Sequence, residues 1–280
     1  MRTLGVDIGS LTGKAVVLDD NEIKAWDLIP TGPDSVATGT AVTQATLDKA
    51  GLTLDDMDFI VSTGYGRIVI PFAQKNVSEI SCHARGASWF FPTARTILDM
   101  GGQDCKAIRC DERGRVASFV MNDKCAAGAG RSMGIMADLV KVPLEELGAL
   151  SLEAEEAVKI SSTCVVFARS EVLGQLRKGV PKAAVLAGAC EALTKRVHGL
   201  LRRVGIEEDF VISGGIAKNV GVVSRIEDRL GLTAKVCFEP QIVGALGAAL
   251  HARDLFERRS KKKKRRGRKR RGAAGSDTAA

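Results

Sequence analysis

The sequence lacks an apolar run long enough to cross a membrane, and it lacks a secretory leader. No apolar stretch approaches the ~18 residues that a membrane-spanning helix requires. The N-terminus, MRTLGVDIGS, passes directly into a strand pattern, without the charged segment and apolar core of a signal peptide. We therefore expect a cytoplasmic protein with no membrane span.

A disulfide framework is also not expected, although the chain contains seven cysteines. Without a secretory signal, the thiols would remain reduced and free to pack in the core or to bind metal. Core packing is the simplest interpretation for Cys105, Cys110, Cys190 and Cys237. Cys82 stands beside His83, which would suit zinc or a nucleophile, but packing of a helix is again favoured.

Acidic residues are almost missing from the C-terminal segment. Residues 258–280 hold 12 of the 41 Lys and Arg residues but one of the 33 acidic residues, Asp277. Residues 1–257 then carry 29 basic and 32 acidic residues, so the net charge of +8 describes the tail and not the body. Such a tail cannot bury apolar surface, and its composition predicts disorder. Its charge would suit nucleic acid, anionic lipid or an acidic partner, but we favour a solvated extension and do not expect nucleic-acid binding.

What the sequence does contain is an internal repeat. Residues 7–20, DIGSLTGKAVVLDD, align without gaps on residues 99–112, DMGGQDCKAIRCDE. Asp7, Gly9 and Lys14 fall on Asp99, Gly101 and Lys106, in that order. Each copy predicts a strand, a glycine-rich turn and a second strand, and each continues into a plausible third strand. The chain is therefore expected to form two related α/β lobes that face each other.

Paired glycine turns of this kind suit a phosphate ligand. A glycine turn after a buried strand brings backbone N–H groups close to phosphate oxygens, and an Asp at the strand end can hold a hydrated Mg²⁺ against them. One such hairpin is more often a plain turn, but a matched pair predicts a clamp on a triphosphate. A third turn, Gly214-Gly215 in DFVISGGIAKNVGVV, suits the adenosine end of a nucleotide.

Two cysteines precede helical patterns 39 residues apart, Cys125 in NDKCAAGAGR and Cys164 in ISSTCVVFARSEV. The N–H groups of a helix N-terminus favour a thiolate and would also stabilise an anionic iron–sulfur cluster. A cubane cluster needs four thiolates, which a twofold dimer would supply. Reactive or structural thiols remain alternatives on this evidence.

The sequence resembles the ATP-hydrolysing activators of 2-hydroxyacyl-CoA dehydratases and the ATPase subunits of benzoyl-CoA reductase, over about residues 3–256. Both groups belong to the sugar-kinase, actin and heat-shock-chaperone superfamily. The strings that carry the resemblance are VDIGSLTGKAVVL, TGYGR, SEISCHARGAS, LDMGGQDCKAI, MNDKCAAGAGR, ISSTCVVFARSEV, SGGIAKNVGV and VGALGAAL. The two cysteine strings are the most specific, because the phosphate hairpins occur across the superfamily.

The resemblance implies a two-lobed actin-like, ribonuclease-H-like ATPase fold with duplicated β-hairpin phosphate motifs. Its first lobe would span residues 1–95 with a contribution from the C-terminal helix, its second lobe 96–257, and the tail 258–280. ATP and Mg²⁺ would bind between the lobes, with catalytic roles for Asp7, Asp99, Gln103 and Asp104. The residues implied in cofactor binding are Gly9, Ser10, Thr12, Lys14, Gly101, Gly102, Gly214 and Gly215.

The resemblance further implies that Cys125 and Cys164 of two subunits hold one 4Fe–4S cluster per dimer, in a homodimer or a heterodimer of paralogues. Hydrolysis of ATP would shift the helices that carry the cysteines and alter the exposure and potential of the cluster. One electron would then pass to a CoA-ester dehydratase or reductase, with reduced ferredoxin or flavodoxin as the donor.

Two other functions are compatible with the same fold. A sugar or acyl kinase would need an acceptor pocket with a base, and the segment between the hairpins is short for that. A nucleotide-dependent scaffold, similar to chaperone ATPase domains, would need a peptide-binding domain, whereas only a charged run follows residue 257.

Overall fold

The computed structural model of the protein describes residues 1–122, 129–160 and 165–274. Its strands are β1 (Arg2–Ile8), β2 (Thr12–Asp19), β3 (Glu22–Pro30), β4 (Phe59–Gly64), β5 (Lys75–Asn76), β6 (Thr96–Met100), β7 (Cys105–Cys110), β8 (Val116–Asn122) and β9 (Phe210–Ser213). Its helices are α1 (Ser35–Ala50), α2 (Glu79–Phe90), α3 (Gly130–Val140), α4 (Leu147–Leu152), α5 (Val165–Arg177), α6 (Lys182–Val204), α7 (Val220–Leu230) and α8 (Val243–Ala274).

The described strands form two sheets with the same core topology. The first sheet has the order β3-β2-β1-β4-β5 and the second the order β8-β7-β6-β9. In each, a three-stranded antiparallel meander is followed by a strand that pairs in parallel with its first strand. The predicted two-lobed α/β architecture with duplicated hairpins is confirmed.

The first strand of each meander is buried along nearly its whole length. β1 and β6 contain no exposed residue, because their sheets are covered by helices. In the first sheet, α1 packs against β2 and β3, while α8 packs against β1 and β4. A strand covered in this way needs apolar or small residues. Leu4, Gly5 and Val6 supply them in β1, and Ile97 and Leu98 in β6, before the aspartate of each strand reaches the cleft.

Small residues let α8 approach both β1 and α2 at backbone distance. A Cβ on Gly5 of β1 would lie 1.9 Å from the carbonyl oxygen of Ala245. A Cβ on Gly247 of α8 would lie 1.8 Å from the carbonyl oxygen of Cys82 in α2. This close packing through the small residues of the segment VGALGAAL brings the C-terminal helix onto the first sheet.

α8 continues to Ala274, through the basic segment for which composition predicted disorder. The buried first turns of α8 supply the costly helical nucleus, and Lys and Arg extend a helix with little penalty. No helix in the described part of the chain combines the length and the apolar character needed to cross a bilayer.

Candidate active site between the two sheets

A cleft of about 490 Å³ opens between the two sheets, at the hairpin turns. It receives residues from both copies of the repeat and from the Gly214 turn. Of the predicted site residues, those that line it are Asp7, Gly9, Ser10, Thr12, Lys14, Asp99, Gly101, Gly102, Asp104, Gly214 and Gly215. Gln103, for which a catalytic role was implied, lies in the second turn but does not line the cleft.

In the first hairpin, an aspartate and a lysine face each other across β1 and β2. Asp7 and Lys14 are cross-strand partners, and the ammonium group lies 3.3 Å from Asp7 Oδ2. Both side chains are nearly buried. The turn between them offers the hydroxyl groups of Ser10 and Thr12 and the backbone of Gly9 to the cleft.

The second hairpin repeats this pair and adds a carboxylate. Asp99 and Lys106 are again cross-strand partners, with Lys106 Nζ 3.6 Å from Asp99 Oδ2. The same ammonium group lies 2.6 Å from Asp104 Oδ2. Asp104 occupies the position of Thr12 in the repeat, so one lysine here serves two carboxylates.

The buried charges of the second hairpin hold one another ionised. Burial alone would raise the pKa of the Asp99 carboxyl, but His83 and the lysines of both hairpins outweigh it and lower this pKa. Burial alone would lower the pKa of Lys106, but Asp99 and Asp104 raise it instead. At neutral pH the cleft floor therefore contains carboxylates and an ammonium group.

The repeat extends to a second pair of glycines, which the sequence comparison missed. β4 ends at Gly64 with φ 82°, and Gly214 follows β9 with φ 84°. A Cβ on Gly64 would lie 2.5 Å from the carbonyl oxygen of Ile8, and one on Gly214 would lie 2.4 Å from that of Met100. The available signal was a small hydroxyl residue followed by glycine at the end of a strand, Thr63-Gly64 and Ser213-Gly214.

The two lobes touch at the rim of the cleft. The Tyr65 hydroxyl, which follows β4, donates a hydrogen bond of 2.9 Å to Asp104 Oδ2 in the second hairpin. Partial burial and then the Asp104 charge raise the pKa of Tyr65 to about 12, so the phenol keeps its proton. The hairpin tips also meet, since a Cβ on Gly102 would lie 2.6 Å from Leu11 Cγ.

Further lining residues surround the Gly214-Gly215 turn and were not predicted. They lie in α3, shortly after it, or in the segments that follow β9, and so come from distant parts of the sequence: Met133, Leu144, Glu145, Ile216, Lys218, Asn219 and Gln241. Apolar side chains beside a backbone turn suit a flat ring, and the polar ones suit sugar hydroxyls. Ile216, Lys218 and Asn219 follow the glycines within the string SGGIAKNVGV. The others are marked by no local motif, because each is brought to the cleft by the packing of its element.

His83 and Cys82 are separated by their positions on α2. His83 lines the cleft, whereas Cys82 is buried in an apolar cluster with Phe59, Val61 and Ala248. Burial raises the pKa of the Cys82 thiol to about 12. The preference for helix packing at Cys82 over a zinc site or a nucleophile agrees with these surroundings.

Cys125 and Cys164 lie outside the residues that the structure describes. Among the described cysteines, Cys105, Cys110 and Cys190 are buried and Cys237 is partly buried. Burial raises the thiol pKa of all four. These surroundings match the predicted core role.

The second phosphate turn is joined directly to the start of α3. The backbone N–H of Gly130 donates to the carbonyl oxygen of Gly101 over 2.9 Å, and that of Arg131 donates to Gly102 over 2.8 Å. These are N-terminal N–H groups that have no partner within the helix. A ligand that moves the turn would therefore act on the first residues of α3.

Comparison with known proteins agrees with this geometry. The sequence profile of the BadF/BadG/BcrA/BcrD ATPase family matches residues 4–252. An activator of lactoyl-CoA dehydratase from Anaerotignum propionicum is 45% identical, covering 92% of this chain and 100% of the relative. One of the subunits of benzoyl-CoA reductase from Thauera aromatica is 32% identical, covering 73% and 74% of the two chains.

Solved structures show the same fold. The activator of 2-hydroxyisocaproyl-CoA dehydratase from Clostridium difficile, solved with bound ADPNP, superposes with a TM-score of 0.89 at 41% identity, covering 94% of this chain and 98% of that one. A ROK family glucokinase from Streptomyces griseus superposes with a TM-score of 0.55 at 15% identity, covering 91% and 100%. The second likeness shows the fold alone and lends no weight to the kinase alternative.

Proposed function

The chain belongs to the BadF/BadG/BcrA/BcrD ATPase family, and from that premise we propose that it is an ATP-hydrolysing activator that passes single electrons to a partner enzyme acting on a CoA ester. The observation that carries the proposal is the pair of Asp–Lys hairpins facing one cleft. This arrangement offers phosphate-binding turns from two sides. Hydrolysis here gates electron transfer, and no phosphoryl group passes to a small substrate.

The carboxylates in the cleft fit Mg²⁺ bound together with ATP. Asp7, Asp99 and Asp104 line the cleft, and Mg²⁺ prefers oxygen ligands and retains several waters. Among the described residues, no group of three or more His, Cys, Asp or Glu side chains is arranged to hold a metal alone. The cation would therefore enter with the triphosphate, whose oxygens complete its coordination.

Cys125 and Cys164 are the residues that would hold a 4Fe–4S cluster. α3 begins five residues after Cys125, α5 begins directly after Cys164, and the two helices pack against each other. Thiolates are the usual ligands of such a cluster, which supplies one-electron transfer when bound. Because one chain contributes two thiolates, the cluster would be shared by two subunits, identical or paralogous.

The exposed start of α5 supports an association surface beside Cys164. Val166 and Phe167 are 64% and 65% exposed, although they are large apolar side chains. Adjacent apolar side chains with this exposure are typical of surfaces that bind a protein. A second subunit and the CoA-ester dehydratase or reductase partner are the expected occupants, with reduced ferredoxin or flavodoxin as the electron donor.

The hydrogen bonds from α3 to the second phosphate turn support coupling between ATP and this region. Gly130 and Arg131 donate to the carbonyl oxygens of Gly101 and Gly102. A change in the turn on hydrolysis would alter these bonds and shift the start of α3. The chain's own contribution to gating is therefore this contact between the nucleotide turn and the helix that follows Cys125.

Iron and acid-labile sulfide per chain, measured after purification without oxygen, test the cluster. About two irons per chain are expected for one four-iron cluster shared by two subunits. Cys125→Ser and Cys164→Ser should each lose the iron, while Cys237→Ser, a change at a partly buried cysteine, should retain it. Protein that contains no iron but retains its ATPase activity would contradict the cluster proposal.

A second measurement tests the activator role. The reduced protein is mixed with a 2-hydroxyacyl-CoA dehydratase or a benzoyl-CoA reductase, and electron transfer is followed with ATP, with ADP and with a non-hydrolysable ATP analogue. We expect electron transfer with ATP, and none with ADP or with the non-hydrolysable analogue. Transfer that is equally fast without nucleotide would contradict the gating role of hydrolysis.

A further inference from the structure

His83 lies in the floor of the cleft, between elements of both lobes. It is carried by α2, is 6% exposed and lines the cleft. Its ring faces Asp99 of the second hairpin on one side and Gly244 of α8 on the other. A buried imidazole in this place must have partners for both nitrogens or face the cleft with one of them.

The hydrogen-bond geometry fixes which ring nitrogen carries a proton. His83 Nδ1 lies 3.2 Å from Ser213 Oγ and 3.3 Å from Asp99 Oδ1. Ser213 donates its one hydroxyl hydrogen to the same Asp99 oxygen, over 3.2 Å. Because the ionised carboxylate accepts only and the serine hydrogen is already used, an unprotonated Nδ1 would face two acceptors. Nδ1 therefore carries a hydrogen.

The opposite nitrogen lies near the aspartate of the first hairpin. A Cβ on Gly244 would lie 2.9 Å from His83 Nε2 and 3.0 Å from Asp7 Oδ2, so both atoms border the small space above that glycine. Any side chain at position 244 would clash with both atoms or displace them. The imidazole thus lies between the carboxylates of the two repeats, and it is hydrogen-bonded to the Ser213 hydroxyl, which in turn donates to Asp99.

We propose that His83 is a positioning residue for ATP hydrolysis, which orients the Asp99 carboxylate through its Nδ1–H and the Ser213 hydroxyl. This inference rests on the proposed ATPase function and adds a residue to it. The Nδ1–H group holds the Ser213 hydroxyl, the hydrogen bond from that hydroxyl holds Oδ1 of Asp99, and Lys106 lies against Oδ2. A carboxylate held in one orientation can hold an attacking water in one place, which favours the reaction more than a mobile carboxylate does.

Two substitutions test the roles of the two ring nitrogens independently. His83→Asn places an amide N–H group near the position of Nδ1, whereas His83→Gln places one near the position of Nε2. We expect His83→Gln to lower kcat for ATP hydrolysis about tenfold, the effect of losing the hydrogen bond that holds Ser213 against the Asp99 carboxylate. His83→Asn should remain within about threefold of the unmodified protein.

The affinity for ADP and the thermal unfolding midpoint are measured on the same samples. A positioning role predicts that both variants bind ADP and unfold as the unmodified protein does, so that kcat alone distinguishes them. Equal losses in the two variants, unchanged kcat in both, or loss of folded protein in both would overturn the proposal. An unmodified protein that hydrolyses no ATP would overturn the proposed function as well.

Discussion

The two phosphate hairpins share a backbone but differ in charge. In the first, Lys14 pairs with the single carboxylate of Asp7, and Ser10 and Thr12 offer hydroxyl groups to the cleft. In the second, glycine and aspartate replace Ser10 and Thr12, and Lys106 pairs with two carboxylates. The first hairpin is thus equipped to donate hydrogen bonds to phosphate oxygens, and the second to hold a cation or a water.

This difference teaches that a duplicated fold can divide the chemistry of one site between its copies. The two turns have the same backbone hydrogen bond, from Gly9 to Thr12 in the first and from Gly101 to Asp104 in the second. In the proposed function, side chains at equivalent positions, such as Thr12 and Asp104, would decide which side binds phosphate and which side binds metal. Each of the following substitutions tests this division or the contact that joins the two lobes.

Exchange of the two lysines for methionine should give the largest difference in stability. Lys106→Met leaves two buried carboxylates without their cation and should lower the free energy of unfolding by about 3–5 kcal/mol. Lys14→Met leaves one carboxylate and should cost less. Urea denaturation followed by circular dichroism measures both. Equal losses of unfolding free energy in the two variants would show that the ion pair between Lys106 and Asp104 does not stabilise the fold.

Neutralising the aspartates should reveal their different roles in hydrolysis. Asp99→Asn removes the charge that His83, Ser213 and Lys106 hold in place, and should lower kcat about 100-fold or more. Asp7→Asn should have a smaller effect on kcat. Steady-state ATPase assays at saturating MgATP distinguish the two. The division of roles between the hairpins would be refuted by a larger loss at Asp7.

The two strand-end glycines should respond alike, because they are equivalent in the repeat. Gly64→Ala and Gly214→Ala both place a Cβ against a backbone carbonyl at positive φ, and each should cost about 1–3 kcal/mol of stability. Gly51→Ala is the matched control, since Gly51 has a φ of 65° with open space around it. In the same denaturation assay, Gly51→Ala should lower the free energy of unfolding by less than Gly64→Ala or Gly214→Ala does.

The smallest effect is expected at the rim. Tyr65 is the single tyrosine of the chain, so ultraviolet absorbance follows its ionisation directly. Its pKa should lie at about 12, and Asp104→Asn should move it toward the ordinary value of 10.0. Because the folded-state pKa is raised, any stability linked to this proton is present below pH 10 and is lost as the pH rises toward 12.

Tyr65→Phe keeps the ring and removes the hydrogen bond between the lobes. We expect ADP to dissociate about threefold to tenfold faster, since one hydrogen bond that closes the rim is lost. Release of a fluorescent ADP analogue measured by stopped flow tests this. An unchanged rate would show that the rim contact does not retain the nucleotide.

Much of the fold could be predicted because the repeat consists of residue types with specific structural roles. Aspartate, glycine and lysine at fixed offsets mark a strand, a turn and a strand in both copies. The lining residues Glu145 and Gln241 could not be predicted, since each owes its place to the packing of a separate element. Gln103 is the opposite case. Its place in the motif implied a catalytic role, but its side chain does not line the cleft.

The sequence by itself determined the two hairpins, the glycines at their turns and the small residues that let α8 approach β1 and α2. These are local requirements on backbone conformation and close packing, and few residue types can meet them. Only the tertiary structure decided that Tyr65 would bond to Asp104 and that His83 would lie between two aspartates. Those contacts join residues that are 39 and 16 or more positions apart, and no local pattern constrains side chains that meet only when the two lobes face each other.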